Sequence, residues 1–414
     1  MRVSRSVFQT QLPYHGWLIV AVVFLASALS VGPGYAFGLF IEPLRDAFPT
    51  WQRTAISASL SFAAVGSLTS PLVGRLMDRY GARPIMIVSL GIMGASFLLR
   101  PLMTQLWHWY VLSFFQYVAF SGSTGLPAGR LVGVWFPRSR GRVMGLTTMG
   151  NNFGGLTVPL MTGFLLASGN WQASFLLLAG LTFLIALLSL VIVREQPSLT
   201  VSDPPSASPT PPATELTGWT VHDALHSRSF YVLTLAMTLG SFTYSAVLPQ
   251  VSDHLGVAGM ARTTVPFAIS LLAAFGMVGK LSFGYLSERF TARRMMMASL
   301  GGQLVFLVLM VNFPTAPLAW IFVPLFGLFM GSYGTLVPLV AQEAFGLRHF
   351  GSIAGLMALA TVVPFFAGPL LAGASFDLTD SYGAGFLIVA AMFAVAFVTL
   401  TLGGAPGPSA RSAG

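Results

Sequence analysis

The sequence has no cysteine, which excludes a disulfide framework, a thiolate nucleophile and any Cys-ligated metal centre. It is also poor in charge. Charged residues make up 8% of its 414 positions, against about a quarter in a soluble chain of ordinary composition. So little charge cannot cover a water-facing surface. With 55% hydrophobic residues and a mean hydropathy of +0.77, the chain is built for a lipid bilayer. Acids are scarcer than bases, 12 against 21, and Lys280 is the one lysine. The net charge of +9 would suit nucleic acid. The arginines, however, lie in short gaps between apolar runs, which makes them determinants of topology and argues for no nucleic-acid partner.

What the sequence does have is apolar runs of roughly 20 residues, each able to cross the hydrocarbon as a helix. The predicted spans are 17–41, 54–76, 84–106, 108–134, 141–167, 171–193, 229–252, 262–286, 295–313, 317–342, 351–375 and 384–403. Only helices or closed barrels satisfy the backbone in lipid, and runs this long are not barrel strands. The expectation is an all-α membrane protein of twelve transmembrane helices. The first run follows Arg2 and Arg5 and is longer than a signal-peptide core, so it is expected to be retained. With the N-terminus inside, fifteen arginines fall on the cytoplasmic side, and four (Arg45, Arg53, Arg100 and Arg262) in outer loops. Both termini are therefore expected in the cytoplasm. Short loops and no visible targeting segment point to a bacterial inner membrane.

The segment "REQPSLTVSDPPSASPTPPATELTG" (194–218) is rich in Pro, Ser and Thr and reads as a flexible cytoplasmic linker. The expected organisation is a six-helix bundle over 1–194, a linker over 195–228 and a second six-helix bundle over 229–414. The halves repeat at an offset of about 210 residues. "GRLMDRYGAR" (74–83) pairs with "GYLSERFTAR" (284–293), and "GGLTVPLMTG" (154–163) with "PFFAGPLLAG" (364–373). "GSTG" (122–125) pairs with "GSYG" (331–334) at an offset of 209.

Parallel six-helix repeats are the arrangement of the major facilitator superfamily, whose substrate site lies between the halves. "GRLMDRYGARP" resembles the loop 2–3 signature of that superfamily. The resemblance implies that Asp78, Arg79 and Arg83, with Glu288, Arg289 and Arg293 in the second half, latch the cytoplasmic ends of the bundles together. Acids and arginines at facing helix ends are also, physically, a breakable gate. A narrower resemblance is to the monocarboxylate transporter and oxalate–formate antiporter branch. It is carried by "YHGWLIV" (14–20), "YAFGLFIEPLRDAF" (35–48), "WFPRSRGRVMG" (135–145) and "FGSIAGL" (350–356). That branch implies a secondary transporter of small organic anions, moved with a proton or exchanged for another anion. It implies no enzyme activity and no cofactor.

Of the 33 charged residues, Lys280 and Arg130 alone fall well inside predicted spans. A cation near a helix centre costs about 2.5–3.5 kcal/mol. With no carboxylate at comparable depth, a substrate carboxylate would supply the missing anion for Lys280. Snorkelling to the interface, or pairing with backbone carbonyls, is the other reading of the same residue. In the resembled branch the substrate-binding cation of the eighth helix lies four residues before a glycine, as Lys280 does before Gly284. Family members usually carry arginine there. Lysine keeps the charge and loses the planar fork. Arg130 is expected to serve the gate, to pair with Glu343, or to touch substrate.

Two absences narrow the substrate. Met357 stands where the oxalate–formate pattern has a second cation, which favours a monocarboxylate over a dicarboxylate. Gly276 stands where the animal monocarboxylate transporters have an aspartate, so the usual acid for proton coupling is missing. A proton would then ride on Lys280, on the substrate, or through Asp253 and His254. Tyr35, Tyr117, Asn151, Asn152, Tyr244 and Tyr333 are the further candidates to donate to a carboxylate, or else to tie helices together. "HDALH" (222–226) echoes a zinc-protease pattern, but its acid is Asp and a third ligand is lacking, so no metal is expected. A hydrophobic-drug exporter would favour a deep acid over a deep lysine. The partners expected are therefore a small carboxylate, a co-transported proton and the bilayer, with the protein acting as a monomer.

Overall fold

The computed structural model describes residues 4–167, 169–195, 217–257, 259–260, 264–313 and 315–402. Within these, the side chains at 4–14, 53–54, 167, 252–253, 257, 266 and 316 are not described. Most of the expected linker, 196–216, lies outside the described residues.

Among the described residues twelve long helical rods follow one another, with a short helix, Val221–Leu225, before the seventh. They are α1 (Ser4–Ala47), α2 (53–80), α3 (Ala82–Leu102), α4 (106–135), α5 (Arg140–Ala167) and α6 (Trp171–Ile192). The second half has α7 (228–257), α8 (Val265–Phe290), α9 (Ala292–Asn312), α10 (Ala316–Phe345), α11 (Phe350–Thr379) and α12 (Gly383–Leu402). Ten of the rods are long and apolar enough to cross a membrane by themselves. The other two are α4, which breaks at Thr124, and α5, whose middle carries Thr147, Thr148, Asn151 and Asn152. Polar groups at that depth need protein around them rather than lipid. Among the described residues the one β-type pairing is the Gly218–Gly346 bridge. It ties the strand-like lead-in to α7 onto the end of α10, with Trp219 N–H donating to Phe345 O at 2.9 Å.

The repeat seen in the sequence is a physical two-fold relation. The turns after α2 and α8 each hold a residue at positive φ, Gly81 at 88° and Thr291 at 84°. Arg83 donates to Leu190 O at 2.5 Å, and Arg293, 210 residues later, donates to Leu400 O. The halves cross at two related points, α2 on α11 and α5 on α8. A Cβ on Gly74 would stand 2.0 Å from Gly351 O, and one on Gly141 would stand 1.9 Å from Gly284 O. No side chain fits there, so glycine is required at both crossings. The face carrying Gly81, Thr291 and these crossings is the gate face.

Two expectations are corrected. Arg100, expected in an outer loop, is 5% exposed. The last turn of α3 tightens into a 3-10 turn over Arg100–Leu102, and its guanidinium lies over the Trp109 ring at 4.5 Å. Arg130 does not pair with Glu343. It pairs with Asp78 and Glu195, while Glu343 accepts from Ala292 N–H at 2.6 Å.

Candidate functional site

Lys280 lies on α8 where three helices are pressed together. A Cβ on Gly145 of α5 would meet Lys280 O at 2.4 Å, and one on Gly279 would meet Leu328 O of α10 at 1.9 Å. These contacts bury the side chain to 5% exposure and aim it across the boundary between the halves. Its Nζ donates to Thr148 O at 2.8 Å and to Asn152 Oδ1 at 2.5 Å, both on α5. The Asn152 amide returns a bond to Ala273 O on α8 at 3.2 Å. Thr148 Oγ1 lies 2.6 Å from Thr335 Oγ1 of α10.

The cluster is therefore polar, shared between the halves and, among the described residues, without an ion pair to Lys280. Carbonyl and amide oxygens solvate an ammonium but do not neutralise it. A buried cation held only by neutral acceptors attracts an anion more strongly than it would in water, because the local dielectric is low. Such a cluster presents a positive charge to an anion at the boundary between the halves.

The other expected site residues are placed differently. Asn151 sits beside Asn152 on α5 and is half-buried. Tyr333 is 2% exposed, and its hydroxyl donates to Met237 O on α7 and lies 3.2 Å from Ser241 Oγ. Tyr244 donates to Met330 O on α10 at 3.1 Å. These two tyrosines hold α7 against α10. Tyr35 is 53% exposed on α1 and packs on Gly155 of α5. Tyr117 lines a small cavity with Arg100 inside the first half, not the Lys280 cluster. His254 is buried at the end of α7 far from the gate, its ring 5.0 Å from Phe386 of α12. The side chain of Asp253 lies outside the described residues.

At the gate, Asp78 accepts from Gly351 N–H at 2.9 Å and Ser352 N–H at 2.6 Å, capping the start of α11. Arg130 Nη1 donates to the same carboxylate at 3.1 Å. In the related place, Glu288 accepts from Arg142 N–H at 2.8 Å and from its Nε at 2.9 Å, at the start of α5. A carboxylate at a helix N-terminus satisfies free N–H groups and meets the positive end of the dipole. Each half thus caps a helix of the other. Arg79 and Arg289 lie over the rings of Tyr80 and Tyr285 at 5.2 and 4.9 Å. Arg83 and Arg293 bond within their own halves.

Sequence reasoning missed Thr148 and Thr335, because a threonine in an apolar run carries no signal until its neighbour is known. It also missed Glu195 as the second partner of Arg130, since Glu195 opens a segment read as unstructured. The 210-residue offset does point to Arg142, which corresponds to Ser352 in the second half.

The sequence model of the Major Facilitator Superfamily matches residues 17–369 and 230–414. Monocarboxylate transporter 12 of Mus musculus is 25% identical over 423 residues, covering 94% of this chain and 85% of that protein. Monocarboxylate transporter 2 of Mus musculus is 24% identical over 396 residues, covering 89% and 79%. Among solved structures, the transporter FucP in an outward conformation aligns with a TM-score of 0.70 at 16% identity, over 94% of this chain and 98% of its own. The human organic anion transporter MFSD10 aligns with a TM-score of 0.66 at 15% identity, over 93% and 99%. The relatives are transporters rather than enzymes. An integral membrane protein of two related six-helix bundles, matched to the family model over most of its length, this chain belongs to the major facilitator superfamily of transporters.

Proposed function

We propose that the protein is a secondary active transporter that moves a small monocarboxylate by alternating access, as proton symport, with Lys280 as the counter-charge for the carboxylate. One observation carries this reading. Lys280 is buried between the halves, bonded to Thr148 O and Asn152 Oδ1, and in no ion pair among the described residues. One uncompensated cation suits one carboxylate, and the similarity to monocarboxylate transporters agrees. The titratable group at the site is Lys280, so a carried proton rides on its amine or on the acid itself.

The remaining parts of the proposal are a bacterial inner membrane, both termini in the cytoplasm and a monomer as the working unit. In that orientation the gate face is cytoplasmic and the structure is closed on that side. The second reading is anion exchange, which the lack, among the described residues, of an acid paired with Lys280 favours. Proteoliposomes with labelled formate, lactate, pyruvate or benzoate test both. Uptake that follows an imposed pH gradient identifies symport, and uptake that needs an internal anion identifies exchange. If no carboxylate moves under either gradient, or if Lys280→Ala transports like the parent, the assignment fails.

A further inference from the structure

Of the three buried cations, Lys280, Arg130 and Arg100, the last has no place in the transport reading. Arg100 is 5% exposed and sits wholly within the first half, where α3, α4 and α6 meet. Its guanidinium lies over the rings of Trp109 at 4.5 Å, Phe175 at 4.8 Å and Phe97 at 5.3 Å. Its Nη2 donates to Gln116 Oε1 at 2.6 Å and, more weakly, to Ser113 Oγ at 3.4 Å. Among the described residues it makes no ion pair, and its buried Nε has no hydrogen-bond acceptor.

Arg100 lines a cavity of about 20 Å³ together with Gly34, Ser59, Ser113, Gln116 and Tyr117. That is room for one occupant the size of a water molecule or a small ion, on the measure by which a water needs about 10–15 Å³. None of the residues lining it is acidic. The aromatic faces stabilise the guanidinium charge but offer no hydrogen-bond acceptor. Nε–H is left without an acceptor, and the charge without a counter-ion among the described residues. Guanidinium edges bind anions best, because the acceptor then also carries the missing charge.

We propose that this cavity is a binding site for a small monovalent anion, of the size of a halide ion or of one carboxylate group. The anion sits against the Arg100 guanidinium and neutralises it at the end of the first bundle away from the gate. The site is independent of Lys280: it belongs to one half and shares no residue with the Lys280 cluster.

Thermal unfolding of the purified protein in detergent tests this, with gluconate exchanged for chloride or bromide at constant ionic strength. The halides are expected to raise Tm saturably, by about 2 °C or more, in the parent and equally in Lys280→Ala. Arg100→Gln abolishes the rise. A bromide-soaked crystal of the parent, read at the bromine absorption edge, should show anomalous density in the cavity beside Arg100. This measurement stands whether or not Arg100→Gln folds. If formate rather than halide gives the Lys280-independent rise, the anion held beside Arg100 is a carboxylate group. No saturable effect of halide or formate, or one that persists in Arg100→Gln, or a halide effect without bromide density in the cavity, overturns the proposal and leaves the cavity to water. A failure of carboxylate transport in proteoliposomes would not touch it.

Discussion

Lys280 and Ser70 hold the same place in the two halves. The carbonyl oxygen of each lies 2.4 Å from where a Cβ would stand on a glycine of the facing half, Gly145 for Lys280 and Gly355 for Ser70. The backbone scaffold is therefore two-fold while the chemistry on it is not. Ser70 spends its hydroxyl on Gly66 O and Ser121 Oγ within its own half, whereas Lys280 reaches across to α5. One polar contact at this pinch is local glue. The other spans the boundary that alternating access must open and close.

Removing that charge should therefore remove transport without removing the fold. Lys280→Ala is expected to lower kcat/KM for a carboxylate about 10- to 100-fold, the worth of a charge-assisted hydrogen bond. Lys280→Arg keeps the charge and should retain binding with an altered KM, because the bulkier fork must fit against Thr148 and Asn152. Initial uptake rates in proteoliposomes check both variants.

Asp78 holds the start of α11 by two backbone N–H groups, and an amide there can accept on one side only. Asp78→Asn is expected to shift the resting population toward an open gate. The native chain has no cysteine, so a single introduced thiol reports cleanly. Phe350→Cys, buried beneath the gate against Gly129, should react with a polar maleimide faster in the Asp78→Asn background than in the parent background. Equal rates would mean that this cap does not hold the gate.

Arg130 neutralises two carboxylates at once, Asp78 at 8% side-chain exposure and Glu195 at 29%. Arg130→Leu strands both. Breaking a buried pair typically costs about 3–5 kcal/mol, and the half-exposed Glu195 places the expected loss at the lower end, about 3 kcal/mol. Thermal unfolding in detergent would show it, and Glu195→Gln should cost much less.

Thr291 occupies the positive-φ position that Gly81 fills in the first half. A β-branched residue there is strained by about 1–3 kcal/mol. Thr291 also caps α9 through a 3.3 Å bond from Arg294 N–H, but replacing a threonine cap by glycine loses only a few tenths of a kcal/mol. Thr291→Gly is expected to raise Tm, and an unchanged or lower Tm would show that the strain is relieved elsewhere.

The amino-acid sequence by itself determined the solvent, the number of rods and the two-fold repeat. Hydrophobicity and helix length are properties of single segments, and the 210-residue offset is a property of two segments compared in one dimension. It also singled out Lys280, because a charge in an apolar run is conspicuous without knowing its neighbours. Tertiary structure alone decided what each polar residue faces. The positions of the basic residues assign Arg100 to an outer loop, and only the turn at Arg100–Leu102 swings it among Trp109, Phe175 and Phe97. Glu195, not Glu343, reaches Arg130, and Tyr333 and Tyr244 spend their hydroxyls on backbone carbonyls. Pairing of this kind depends on rotation about each helix axis and on which helices adjoin. Both are set by glycine crossings such as Gly74 on Gly351 and Gly141 on Gly284, contacts between residues far apart in the chain that no local pattern encodes.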